Sequence, residues 1–266
     1  MFLEENSLTE VSAGQKITGS REDYHYLTRV LRLKIGDRVI LLDGKGGACF
    51  SFINRLGEGQ IEFELEEPLI DNKEAPIRIT LAQSLIKKDN FEFVLQKGTE
   101  LGATEFYPLI SQRTEVNLLN KSDKKVSKKL TRWREIVKNA AEQCQRQVLP
   151  LIHYPVNFEK YLKNNNENSN NNGSRLKIMC HEQENTPLKK VLKTIETPPS
   201  SAIILIGPEG GFSHNEVDLA REQGFSSVSM GPRILRAETA GIVAVSAILY
   251  ELADLGGTEQ CQTYQG

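Results

Sequence analysis

The chain has 266 residues, enough for one large domain or two ordinary ones, each with a substantial core. Its hydrophobic fraction of 39%, charged fraction of 26% and formal net charge of −2 give no global electrostatic signature, so a nucleic-acid partner must be argued from local charge. The four cysteines are widely spaced, which argues against a disulfide framework and a structural zinc site. The N terminus is acidic and no long apolar run follows it, which argues against a signal peptide and a membrane span. These features together predict a cytoplasmic protein.

The first part of the chain predicts a small all-β domain. YHYLTRVLRLKIGD (24–37) predicts a short helix that stops at Gly36, with Arg29 and Arg32 three residues apart on one face. Three short segments rich in β-branched or aromatic residues follow, separated by glycine-bearing turns: RVILLD (38–43), ACFSFIN (48–54) and QIEFELE (60–66). This spacing suits a compact barrel that carries a basic helix.

After residue 73, strand and helix patterns alternate. IRITLAQS (77–84) and EFYPLI (105–110) predict strands on either side of a helix in residues 87–102, and a long helix follows from about Lys124 to Gln147. Further buried strands, each followed by a helical pattern, are predicted for RLKIMC (175–180), AIILIGP (202–208) and SSVSM (226–230). The alternation predicts a mostly parallel sheet covered on both faces.

Positive charge is concentrated in the middle of the chain, where residues 113–146 hold ten bases against four acids. Trp133 lies on the apolar stripe of the long helix, so we expect it in the core rather than stacked on a base. The Asn-rich tract 164–174 cannot bury apolar surface and predicts a surface loop, and the tail after Leu255 is expected to fray.

IGPEGGFSHNE (206–216) predicts a tight turn from a strand into a helix. Ser213 and Glu216 have capping-box spacing, and the glycines let the backbone approach a ligand closely. The G-x-G-x-x-G spacing and the P-loop lysine are both missing, which disfavours a phosphate cradle. Glu209 argues further against an anion and favours a cationic or neutral ligand, although an ordinary structural turn fits the segment equally well.

GPRILRAETA (231–240) predicts the start of a buried helix, for which Pro232 and Glu238 are well suited. Arg233 and Arg236 lie at the positive end of that helix, where cations are disfavoured, so they indicate an anionic partner, either Glu238 or a substrate. Ligands of open α/β sheets bind beyond the carboxyl ends of strands, and both glycine loops follow predicted strands. Together the loops predict a binding site.

The chain resembles the bacterial 16S rRNA uridine N3-methyltransferases of the knotted SPOUT class. Four segments carry the resemblance: HYLTRVLRLKIGD (25–37), LQKGTELG (95–102), LIGPEGGFS (205–213) and GPRILRAETA (231–240). The resemblance covers nearly the whole chain in order. It includes a QRTEV strand (112–116) and two elements of the long helix 124–147, RW (132–133) and EQCQR (142–146). It implies an α/β protein with a PUA-like RNA-binding β-barrel domain in residues 1–72. A SPOUT methyltransferase domain with a deep trefoil knot in its parallel-sheet fold would follow in residues 73–256. It also implies S-adenosylmethionine as cofactor, a homodimer and no metal.

If the chain methylates uridine N3, the chemistry of that step and the local charge suggest roles for specific residues. Arg236 would stabilise the charge that develops on the uridine carbonyl oxygens as N3 loses its proton, with Glu238 as orienting partner or, as the weaker alternative, proton acceptor. The expected RNA contacts are Arg29, Arg32, Arg113, Arg132 and Arg146, with 16S rRNA in the small ribosomal subunit as the partner. His181 directly follows the predicted RLKIMC strand and could border the cofactor. The expected cofactor-binding residues are His181, Leu205, Ile206, Gly207, Glu209, Gly211, Met230, Gly231, Ile234, Leu235, Arg236, Thr239 and Ala240.

Two other functions stay open. A related knotted methyltransferase could act on ribose 2′-hydroxyls or on tRNA, and locating the methylated atom would distinguish it. An RNA-binding protein of the same fold without activity would bind RNA but not S-adenosylmethionine. A nucleotide-dependent oxidoreductase is disfavoured because the phosphate fingerprint is missing.

Overall fold

The structure, a computed structural model, describes residues 1–3, 8, 11–57, 59–69, 73–116, 118–119, 121–167 and 174–257, and for residues 166 and 167 only the backbone. It consists of two compact units. Met1–Glu74 and Ala141–Leu149 form the N-terminal unit, and Ala75–Ala140 and Pro150–Gly266 form the C-terminal unit. The domain division into residues 1–72 and 73–256 stays a prediction; in the structure, the segment 141–149 packs with the N-terminal unit.

The N-terminal unit is built on a four-stranded antiparallel sheet in the order β1-β4-β3-β2. Alternate side chains of β3 and β4, among them Ile53, Ile61 and Phe63, point into its core because successive residues of a strand face opposite sides. Its elements are β1 (Lys16–Gly19), α1 (Arg21–His25), a π-helical turn (Tyr26–Val30), β2 (Arg38–Leu42), β3 (Ala48–Gly57) and β4 (Gln60–Pro68).

The helical segment of this unit starts and ends earlier than the sequence predicts. A capping box between Ser20 and Asp23 starts it, and a backbone bond from the Leu33 N–H to the Leu27 carbonyl (2.9 Å) closes it. Arg32 then takes a left-handed conformation with φ of 58°. The predictions that the helix reaches Gly36 and that Arg29 and Arg32 share one helical face are therefore wrong.

The C-terminal unit is an α/β structure around a parallel sheet in the order β11-β9-β10-β5-β6-β7, with β8 beside β6. The mostly parallel sheet is therefore confirmed. Its strands are β5 (Arg78–Ser84), β6 (Ala103–Ile110), β7 (Leu151–Ile152), β8 (Val156–Asn157), β9 (Arg175–Cys180), β10 (Ser201–Ile206) and β11 (Ser226–Val228). The helices are α2 (Lys88–Leu101), α3 (Asp123–Gln143, whose last three residues belong to the N-terminal unit), α4 (Phe158–Glu167), α5 (Leu188–Lys193), α6 (His214–Glu222) and α7 (Ala237–Leu252).

Both faces of this sheet are covered, because its strands are apolar on both sides. In β10, Ile204 and Ile206 pack into the larger core, and Ile203 and Leu205 pack into the opposite one. Trp133 is buried in the larger core, with its ring centroid 4.8 Å from that of Phe91, which confirms that it packs rather than stacks on a base. No helix in the described part of the chain is long and apolar enough to cross a membrane.

Two segments differ from their predicted structure. QRTEV follows β6 as a turn rather than a strand, because the Thr114 N–H donates to the Ser111 carbonyl (3.1 Å) and their hydroxyls lie 2.8 Å apart. Residues 164–167 of the predicted Asn-rich loop form the last turn of α4. Residues 168–173 and the tail from residue 258 onward, where a loop and fraying are predicted, lie outside the described residues.

Candidate functional site

The candidate site is a cavity of about 700 Å³ beyond the carboxyl ends of β9, β10 and β11. These three strands are neighbours in a parallel sheet, so the loops that follow them emerge at one edge. The cavity is lined by residues 180–182, 206–212 and 229–238, by Ala240, by Lys87 just before α2 and by Asn90 in the first turn of α2. Its size is in the range of small-molecule sites.

The first glycine loop follows β10 and leads into α6. Ser213 and Glu216 form the predicted capping box, in which the Ser213 N–H donates to the Glu216 carboxylate at 2.9 Å. Gly211 has φ of 67°, and a Cβ there would lie 2.7 Å from Oε1 of Glu182. A side chain at this position would therefore be strained by its backbone conformation and would displace the exposed Glu182 carboxylate.

Two contacts attach this loop to neighbouring connections. Arg113, after β6, donates from Nη1 to the Gly210 carbonyl at 2.8 Å. The backbone N–H of Lys87 donates to Oε1 of Glu209 at 3.4 Å. Loops from β5, β6 and β10 therefore meet at the same end of the sheet.

The second glycine loop follows β11 and leads into α7. Gly231 has φ of 113°, a left-handed conformation that favours glycine, and the chain then exposes Arg233 and Ile234 beside the cavity. Arg236 is the N-cap residue of α7, and its exposed guanidinium has no carboxylate partner among the described residues. Glu238, in the first helical turn, is only 9% exposed and lines the same cavity. Within the described chain, Arg236 and Glu238 form no ion pair with each other.

The end of β9 contributes Cys180 and His181. Burial raises the pKa of the Cys180 thiol to about 12, and its Sγ lies 3.5 Å from Sδ of Met230. At neutral pH Cys180 is a protonated thiol, which is a poor nucleophile.

His181 is 8% exposed and its imidazole is held in one orientation. Its Nδ1 accepts a hydrogen bond from the Gln183 N–H at 3.1 Å, which assigns the proton of a neutral ring to Nε2. Nε2 has no hydrogen-bond partner in the described part of the chain, and His181 lines the cavity. It therefore offers a donor to a ligand.

Most of the expected cofactor residues lie around this one cavity. Leu205 does not, because its side chain is buried on the opposite face of the sheet, and Thr239 is exposed outside the lining. The lining includes both expected catalytic residues, Arg236 and Glu238, together with His181, Ile206, Gly207, Glu209, Gly211, Met230, Gly231, Ile234, Leu235 and Ala240.

The five arginines expected at RNA have different surroundings. Arg29 and Arg32 are exposed in the N-terminal unit, and Arg113 is exposed beside the first glycine loop. Arg132 is exposed but donates from Nε and Nη2 to the Glu92 carboxylate, both at 2.7 Å. Arg146 is only 3% exposed.

Arg146 is held inside the N-terminal unit by Glu74. Its Nε donates to Oε2 of Glu74 at 3.1 Å, and Nη2 donates to the same carboxylate. The backbone N–H groups of Gln147 and Val148 donate to Oε1 of Glu74, each at 3.1 Å. A buried, paired guanidinium cannot reach a phosphate, so we do not include Arg146 in the proposed RNA surface.

Sequence reasoning did not single out Lys87, Asn90, Cys180 or Glu182, which also line the cavity. Cys180 and Glu182 lie at or just after the carboxyl end of a predicted strand, so the rule that located the glycine loops could have found them, whereas Lys87 and Asn90 lie in the helix predicted after another strand. No group of three or more His, Cys, Asp or Glu side chains in the described chain could hold a metal ion.

Comparison with known proteins defines the class to which this fold and site belong. A family model of the RNA methyltransferase domain matches residues 73–249, and a model of the RNA methyltransferase PUA domain matches residues 20–66. Two solved structures superimpose with a TM-score of 0.82 at 31% identity. One is a methyltransferase of Legionella pneumophila in complex with SAM, for which 96% of this chain and 98% of that chain align. The other is a ribosomal RNA small subunit methyltransferase E of Neisseria gonorrhoeae bound to S-adenosyl methionine, with 95% and 97% aligned.

Curated relatives define the family more narrowly. A ribosomal RNA small subunit methyltransferase E of Synechocystis is 38% identical over 87% of this chain and 72% of its own. The protein of that name from Bacillus subtilis is 33% identical over 91% and 92%. The chain thus belongs to the ribosomal RNA small subunit methyltransferase E family. The expected fold, a SPOUT-type parallel-sheet domain preceded by a PUA-like domain, is confirmed, and the knot stays a prediction.

Proposed function

We propose that the protein transfers a methyl group from S-adenosylmethionine to N3 of a specific uridine in 16S rRNA. The observation that carries the proposal is that Arg236 and Glu238 line the same cavity as both glycine loops. Relatives bearing the name of a ribosomal RNA small subunit methyltransferase support the choice of RNA. The choice of N3 as the methylated atom goes beyond these names, and it rests on Arg236 and Glu238 after the second glycine loop.

The residues of the cavity fit the proposed cofactor. Ile206 and Leu235 supply apolar walls for an adenine, and the exposed carboxylates of Glu182 and Glu209 suit a ligand with positive charge. His181 adds a directed donor. When bound, S-adenosylmethionine supplies an electrophilic methyl group, so the chain needs no nucleophile of its own.

The chain would then position the uridine and manage the N3 proton. Loss of this proton places negative charge on the flanking carbonyl oxygens. The guanidinium of Arg236, which has no carboxylate partner among the described residues, is suited to stabilise that charge. Glu238 is nearly buried at the cavity and makes no ion pair with Arg236, an arrangement that favours proton acceptance over orientation of the arginine.

The proposed RNA is 16S rRNA within the small ribosomal subunit, in the cytoplasm. Arg29, Arg32 and Arg113 are exposed members of the predicted RNA surface that form no ion pair among the described residues, although Arg113 also donates to the Gly210 carbonyl. Arg132 belongs to it only if a phosphate displaces the Glu92 carboxylate. We also propose a homodimer, supported by Val243 and Tyr250, which are exposed and lie seven residues apart on one face of α7. Sedimentation of the purified protein tests this state.

The test of the reaction is single-turnover methyl transfer to small ribosomal subunits, with Arg236→Ala compared with Arg236→Lys. We expect Arg236→Ala to lower the rate by about 10²–10³-fold while cofactor affinity stays within a few-fold, since the charge it stabilises develops only during reaction. Arg236→Lys should recover part of the rate because the positive charge remains. An Arg236→Ala rate equal to the wild-type rate would exclude the role of Arg236.

Mass spectrometry of the nucleosides identifies the methylated atom. A product of N3-methyluridine supports the proposal, and a 2′-O-methylated nucleoside would replace it with the ribose alternative. RNA binding without any binding of S-adenosylmethionine would instead identify a protein without this activity.

A further inference from the structure

We propose that a groove in the N-terminal unit binds the base and adjoining phosphates of an unpaired RNA nucleotide. The groove has a volume of about 550 Å³ and is lined by Tyr24, Thr28, Arg29, Leu33, Lys34, Ile35 and Leu56. We call it the N-terminal groove. The inference rests on the proposal that RNA is the substrate. It adds a nucleotide-binding groove to the RNA surface proposed for the N-terminal unit.

The apolar part of the groove is unusually open to solvent. Ile35 is 61% exposed, and the nearby Val30 is 59% exposed, although both are large aliphatic residues. Leu33 and Leu56 complete this surface as half-buried side chains. A group of exposed apolar side chains at a concave site indicates a ligand with an apolar face, which a nucleobase has.

The lining of the groove is positively charged, and a neighbouring carboxylate, that of Asp37, accepts the Lys34 backbone N–H (2.7 Å). Arg29 and Lys34 line it, Arg32 lies next to it in the chain, and no Asp or Glu is in its lining. None of these three side chains has an ion pair among the described residues. By contrast, two other cations of the same unit are paired, Lys16 with Glu62 (3.2 Å) and Arg38 with Glu66 (2.7 Å). Free cations around an apolar surface complement a base with its phosphates.

The backbone at the groove is also unusual. The π-helical turn Tyr26–Val30 forms one side, and Arg32 has a positive φ that costs a non-glycine residue free energy. Such turns and conformations occur often at functional sites. Here they interrupt the helix where Arg29, Lys34 and Ile35 are presented together.

The combination favours an unpaired nucleotide over an RNA duplex. A duplex hides its bases in the stack and presents phosphates and sugars, which would leave Ile35 and Leu56 without an apolar partner. A base that is not paired can enter a concave apolar groove, with its flanking phosphates against Arg29 and Lys34. The groove therefore selects a loop or bulge of the RNA.

The test measures affinity of the full-length protein for a fluorescent oligouridylate and for a blunt RNA duplex of the same length. Ile35→Ala should weaken single-strand binding by about tenfold and leave duplex binding and the salt dependence unchanged. Arg29→Ala should reduce the slope of log K against log salt by about 0.7, the value for one phosphate contact of a single strand. Both side chains are exposed, so neither variant removes core packing.

Matched controls come from the same unit. Phe52→Ala removes an exposed apolar side chain outside the groove, and Lys45→Ala removes an exposed cation outside it. The proposal is overturned if Ile35→Ala binds single strands as Phe52→Ala does, if it loses single-strand and duplex affinity equally, or if Arg29→Ala and Lys45→Ala change the salt slope alike. Uridine methylation by the wild type is measured separately, so the groove can fail while the proposed reaction stands.

Discussion

His181 shows how a single residue can be prepared for a ligand by its own backbone. The neighbouring strand β11 fixes its main chain, since the His181 N–H donates to the Val228 carbonyl at 2.9 Å. The Gln183 N–H donates to Nδ1, and Nε2 of this cavity-lining residue keeps a donor without a partner among the described residues. The sequence suggested His181 only from its place after a strand, whereas the tautomer comes from the turn that follows.

This arrangement predicts different effects for two polar substitutions. His181→Asn keeps an acceptor near the Gln183 N–H and loses the Nε2 donor, so cofactor affinity should fall by about 3–10-fold, the value of one hydrogen bond. His181→Gln keeps a donor near the position of Nε2 and should retain most of the affinity. Isothermal titration with S-adenosylhomocysteine measures both. Equal affinities for the two variants would show that Nε2 does not contact the cofactor.

At the scale of elements, helix α7 depends on a close approach to strand β5. Gly241 lies against Gln83, so that a Cβ at residue 241 would be 2.7 Å from the Oε1 of a glutamine that is itself buried. That oxygen has no hydrogen-bond partner in the described chain. The sequence shows an apolar helix here, but only the packing shows why a glycine belongs inside it.

Gly241→Ala should therefore destabilise the C-terminal unit. Overpacking costs about 1–3 kcal/mol, and the higher helix propensity of alanine returns at most about 1 kcal/mol, so the net loss should be about 1–2 kcal/mol. In a Gln83→Ala background the clash is absent, and Gly241→Ala should be neutral or stabilising. Urea unfolding of the four proteins gives the coupling. The same cost in both backgrounds would rule out the contact as the cause.

At the scale of the whole molecule, the two units have separate cores, and the cavity lies entirely in the C-terminal one. A ligand that binds only a folded unit stabilises that unit by mass action. We therefore expect the cofactor to raise the unfolding free energy of the C-terminal unit and to leave that of the N-terminal unit unchanged.

Calorimetry of the intact chain tests this expectation. S-adenosylhomocysteine at about 100 times its Kd should stabilise the C-terminal unit by about 2.7 kcal/mol and leave the transition of the N-terminal unit in place. A nicotinamide dinucleotide serves as the control and should shift neither transition, because the chain lacks its phosphate fingerprint. An equal shift of both transitions would contradict independent unfolding of the units.

Several features of this protein could be predicted from its sequence because they depend on local residue patterns. Ser213 and Glu216 specify a helix start, alternating strand and helix patterns specify a parallel sheet, and the two glycine loops locate the cavity that we propose as the cofactor site. Each of these features depends on residues close together in the chain, so pattern alone predicts it.

The tertiary structure decided what depends on distant partners. Arg146 is a cation in a basic segment by sequence, yet Glu74, far away in the chain, buries and pairs it. Glu182 and Lys87 join the cavity only because the sheet order brings their loops beside β10. The physical reason is that the neighbours of a side chain in space determine its charge state, its burial and whether a ligand can reach it. The spacing of residues along the chain does not specify those neighbours.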